Sequence, residues 1–224
     1  MPFGELQFEN PSMSSPDKPI DKIENCLLET GKKLDLALLL LDRKKIAYLG
    51  NHKIFENDKE RQKFIKEFSQ ELEDIKKTCE GLGFLYNTKG LRVEDEAIVG
   101  FNISIGKNGE DLTKFADAEK KRDDKTMGLM LGYPWTAVEA YNSKKSLDFE
   151  VFLKTELSEK ERKQLEEEGV IKFLSFQPSK EHWREELNQA REDQGLIKEK
   201  TPRLYEEIMK SELGRRIYRN TAGR

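Results

Sequence analysis

Polar and apolar positions along this chain fall into two rhythms, and each predicts a different element. Across residues 58–80, Phe64, Phe68, Leu72, Ile75 and Cys79 recur every three or four positions, and Lys, Glu, Gln and Asp fill the gaps. That spacing predicts a long amphipathic helix, stopped by Gly81 and Gly83. Across residues 97–105 the period shortens to two. Val99, Phe101, Ile103 and Ile105 alternate with Ile98, Gly100, Asn102 and Ser104, which predicts a strand with one apolar face. Shorter apolar runs are read as further strands. Residues 36–41 form a continuous run of strand length, read as a fully buried strand with a buried helical segment as the alternative. Residues 46–49, 84–86, 147–153 and 170–176 complete the set, with residues 42–45 as a hairpin loop and 87–90 as a turn.

Capping chemistry marks the remaining helices. Asp21 suits the start of a short helix over residues 21–30, with Gly31 as its stop. Ser158 and Glu161 form a capping box before a charged helix that runs to Glu168. Ser179 opens a helix whose buried face is Trp183, Leu187, Ala190 and Ile197. Thr201 and Pro202 open another that turns Leu204 and Ile208 inward. The resulting expectation is an α+β (mixed α/β) fold: a small sheet of about five or six strands packed with helices, and a helical C-terminal part. Residues 1–18, with Pro2, Pro11, Pro16 and three serines, read as a disordered leader. Residues 19–212 read as a single α+β globular domain, and residues 213–224 as a basic flexible tail. Arg215, Arg216, Arg219 and Arg224 in that tail read as a solvated end, with a weak polyanion contact as the sharper alternative.

Composition narrows the function classes. Hydrophobic residues make up 36% of the 224 and charged residues 37%, so a modest core lies under a well-solvated surface. A net charge of −3 supplies no global attraction for nucleic acid or for acidic partners. No apolar run is long enough for a membrane span and no secretory signal opens the chain, so no membrane partner and a cytoplasmic location are expected. Cys26 and Cys79 have no metal-like spacing and read as buried free thiols in a reducing compartment. Neither histidine has a ligand partner at zinc spacing, and no cofactor or metal is expected. The loop at residues 106–109 lies between a strand and a helix, but its glycine spacing fits no phosphate loop. Glu110 and Asp111 also occupy the place of the anion.

One stretch stands apart. Residues 126–141 are the most apolar long run in the second half of the chain, with Gly132, Tyr133 and Pro134 as a hard turn in the middle. Gly128, Gly132, Val138 and Tyr141 match the spacing of a helix-turn-helix, in which a small residue lets two helices approach and apolar residues seat the second. Packing thus explains those four and leaves Trp135, Thr136 and Glu139 without a packing role. Together with Tyr133, and with His182 on the later helix, they form the candidate binding surface.

Residues 131–134 (Leu-Gly-Tyr-Pro) and 136–141 (Thr-Ala-Val-Glu-Ala-Tyr) resemble a motif found in a family of uncharacterised prokaryotic proteins. Residues 179–187, which contain Glu181, His182 and Trp183, and residues 202–207 are similar to the same group. The likeness covers about the last hundred residues. It implies a shared architecture and supplies no catalytic residue, because that family has no assigned activity. Three readings follow. The first is a non-catalytic binding or protein-interaction protein that uses the 126–141 hairpin. The second is a helix-turn-helix DNA-binding protein, although the second helix lacks the arginines and glutamines that read base edges and carries Glu139 toward the phosphates. The third is a small-molecule enzyme with a pocket near the hairpin, in which His182 acts as a base.

Overall fold

The computed structural model describes residues 18–94 and 98–211. The expected basic tail, and the expected leader apart from Lys18, lie outside those residues. In chain order the elements are α1 (Pro19–Asn25), α2 (Thr30–Leu40), β1 (Ile46–Ile54), α3 (Asp58–Leu82), β2 (Leu85–Glu94), β3 (Ile98–Gly106), α4 (Gly109–Lys121), α5 (Asp124–Met130), α6 (Trp135–Asn142), α7 (Phe149–Thr155), α8 (Glu159–Glu168), a short 3-10 turn (Val170–Phe173), α9 (Trp183–Lys200) and α10 (Pro202–Lys210). The class is α+β, but the sheet among the described residues has three strands, not five or six.

The sheet is antiparallel in the order β1-β3-β2, so the strand that comes last in sequence lies in the middle. Val99, Phe101, Ile103 and Ile105 of β3 are all essentially buried. They enter one core with Phe68, Leu72 and Ile75 of α3, and the Phe68 ring meets Phe101 edge-on at 5.9 Å. The alternation of β1 divides its side chains between the two faces. Ala47 and Leu49 join that main core. Ile46 and Tyr48 face a smaller cluster built from Leu112 and Phe115 of α4 and Met130 of α5. Helix α2 and the C-terminal helices complete the main core through Leu36, Leu39, Leu187, Ala190, Ile197, Leu204 and Ile208.

Three expected strands are helical instead. Residues 36–41 belong to α2, where Leu36, Ala37, Leu38 and Leu39 are all buried. A segment covered on every side shows no polar rhythm, so length and leucine content were the only guides, and leucine favours helix. Residues 147–153 mostly form α7: the Asp148 side chain accepts the Glu150 N–H at 2.9 Å and opens a helix, and Phe149 and Phe152, three apart, face inward. Residues 170–173 form the 3-10 turn after Gly169, which ends α8 in the left-handed region at φ +72°. Residues 42–45 are therefore a helix-to-strand turn. Residues 87–90 do not break the chain direction, since β2 runs through them with a register shift between Thr88 and Leu91. Helix α1 ends at Asn25, and Gly31 lies in the first turn of α2.

Two of the helices predicted from capping, α8 and α10, stand where expected; α1 instead starts at Pro19 with Asp21 inside its first turn, and α9 starts at Trp183, with Ser179 Oγ accepting the His182 N–H ahead of it. Asn57 and Asn108 accept N–H bonds at the starts of α3 and α4. Ser158 and Glu161 form the reciprocal box that starts α8. Thr201 departs from its expected role: its hydroxyl donates back to the Ile197 carbonyl at 2.9 Å, closing α9 without capping α10. Among the described residues three lysines are buried, and each keeps its ammonium paired: Lys32 with Glu71, Lys33 with Glu207 and Lys44 with Asp35. Lys172 solves the same problem differently. Its Nζ donates to the carbonyls of Ile208, Met209 and Ser211 at 3.1, 2.7 and 2.6 Å, capping the end of α10, and burial pulls its pKa down.

Both cysteines are free. Cys26 is half-buried and Cys79 fully buried in the α3 face of the core. Burial pushes the Cys79 thiol from 9.0 up to about 12. Between those values the unfolded chain ionises Cys79 while the folded chain keeps it neutral, so folding stability falls as pH rises, by at most about 1.4 kcal/mol per pH unit. Urea midpoints measured with reductant at pH 7 and pH 10.5 should therefore drop less for Cys79→Ala than for the native chain. The same drop in both proteins would show that the thiol does not carry this term.

Candidate functional site

Glycine chemistry makes the hairpin of α5 and α6. A Cβ on Gly128 would come within 2.8 Å of Val138 Cγ2, so the two helices cross at a distance only glycine allows. Gly132 turns the chain at φ +80°, and a Cβ there would sit 2.5 Å from the Arg43 carbonyl oxygen. Asp123 caps α5, accepting the Thr126 N–H at 3.0 Å and its hydroxyl at 2.6 Å, bonds that hold the carboxyl pKa below its ordinary value. The Tyr133 N–H donates to the Gly128 carbonyl at 3.0 Å and closes the turn.

That turn is docked into the molecule. The Lys45 N–H, at the entrance to β1, donates to the Met130 carbonyl at 2.9 Å. Gln189 of α9 donates through Nε2 to the Gly132 carbonyl at 2.6 Å. Arg43 is clamped by Asp193 at 2.5 Å and Glu192 at 3.0 Å, both on α9. Burial raises the Asp193 pKa despite the arginine beside it. Tyr133 belongs to this joint. Its ring packs 5.9 Å from Phe176, and burial together with the nearby Asp35 carboxylate raises the phenol well above its ordinary pKa.

The outer surface of the hairpin is a separate object. Trp135 is 51% exposed although it opens α6. Lys125 of α5 lies with its Nζ 4.0 Å from the centre of the indole ring and 2.7 Å from the Glu139 carboxylate. One lysine therefore joins Trp135 and Glu139 and fixes the orientation of the indole by a cation–π contact. Leu129, one turn after Lys125 on α5, is 40% exposed. Thr136 is half-buried. Tyr141, expected to seat the second helix, is 49% exposed; Ala137, Val138 and Ala140 do the seating. Lys125 and Leu129 were not among the expected site residues. Their spacing of four on a helix that buries Gly128 and Met130 was the available signal.

His182 lies just before α9, and its bonding partners are on its own segment rather than on the hairpin. Its N–H donates to Ser179 Oγ at 2.8 Å, and its Nδ1 lies 3.6 Å from Glu185, on its own turn. The segment after α6 is joined to this region by an antiparallel backbone bridge between Ser146 and Ser179, by the Lys180 N–H donating to the Lys145 carbonyl at 3.2 Å, and by the Lys145–Glu181 ion pair at 3.3 Å. Among the described residues no group of three or more His, Cys, Asp or Glu side chains is arranged to hold a metal ion, and no helix is long and apolar enough to cross a membrane. No family profile, curated protein or solved structure matches this chain.

Two variants test the geometry of the hairpin. Gly128→Ala forces its new methyl against Val138 and should cost about 1–3 kcal/mol in urea unfolding, in spite of the better helix propensity of alanine. Adding Val138→Ala should recover part of that loss, and a strictly additive pair would mean the two residues do not touch. Tyr133→Phe removes the one phenol held neutral at the joint. Above pH 10 the unfolded native chain ionises there, so the variant should retain more of its neutral-pH stability than the native chain at pH 11.

Proposed function

We propose that this chain is a non-catalytic protein-interaction module whose contact surface is the outer side of the α5–α6 hairpin, centred on Trp135. The observation that carries this reading is the contrast between the two sides of one small element. The turn is bonded to α9 and to the 42–45 turn that leads into β1, while Leu129, Trp135 and Tyr141 remain between 40% and 51% exposed. Large side chains left open on a rigid base lose little freedom when a partner covers them, and tryptophan is the residue type most enriched among the energetic centres of protein interfaces. Lys125 adds to this by holding the indole in one orientation before any partner arrives.

A photo-crosslinking residue placed at Tyr141 in the full chain, in the cells that make it, tests the reading. It should yield one discrete protein adduct that disappears when Trp135→Ala is added and survives Val151→Ala at a remote exposed position. Circular dichroism should show both variants folded, since neither side chain is in the core. An adduct indifferent to Trp135, or binding to DNA that weakens steeply with salt and depends on Lys144 and Lys145, would overturn it.

A further inference from the structure

No further inference is drawn: the strongest candidate, the buried Glu186 side chain near the start of α9, whose Oε2 accepts the Ser179 N–H at 2.7 Å while Oε1 has no hydrogen-bond partner among the described residues, carries nothing, because it is closed off from solvent and nothing in the structure shows a ligand that would reach it.

Discussion

The close approach of Gly132 to the Arg43 carbonyl is the contact on which the arrangement of this molecule depends. It brings the turn of the α5–α6 hairpin onto the turn that leads from α2 into β1, with no room for a side chain between them. Once the two turns touch, the Lys45 N–H finds the Met130 carbonyl, Gln189 finds Gly132, and Arg43 reaches across to Asp193 and Glu192. The sheet, the buried helix α2 and the long helix α9 are thereby tied at one place. Burying these main-chain groups is tolerable because each is paired, and the arginine clamp keeps two carboxylates of α9 from standing uncompensated. The exposed side of the hairpin inherits its rigidity from that joint.

How much of this the sequence made legible depends on whether an element has a wet side. Helices α3 and α9 each alternate a buried stripe with charged residues, strand β3 alternates every second residue, and α8 is marked by the capping box of Ser158 and Glu161; all four are readable. Two of the three segments misread as strands share the opposite property. In α2 the run from Leu36 to Leu39 is buried throughout, and in the turn from Val170 to Phe173 three of the four residues are covered. With no polar positions to set a period, helix and strand look alike in one dimension. Strand β2 was cut short for a different reason: Asn87 to Gly90 have turn composition, and a register shift let the sheet accommodate them.

The hairpin shows the same limit at the level of a site. Its turn, its glycines and the contact of Gly128 with Val138 followed from spacing, because a tight crossing of two helices has few solutions. Which residues the crossing leaves outside did not follow. Tyr141 looked like an anchor because an aromatic residue at that spacing usually is one, yet Ala137, Val138 and Ala140 fill the interface and leave it at the surface. Lys125 could not be connected with Trp135 and Glu139 until the angle between two short helices was known, since the three residues meet only across the crossing.

The strand order has a kinetic consequence. β2 and β3 are neighbours in sequence and can pair through a short connection, but β1 must wait for β3, and the whole of α3 and β2 lies between them. The chain therefore closes a long loop before its central strand gains a second partner. Until then β3 offers an unpaired edge rich in Val, Phe and Ile, the part of this molecule most open to pairing with another copy during synthesis. The buried side of α3 is its nearest shield, being already long, capped at Asn57 and amphipathic when β3 emerges.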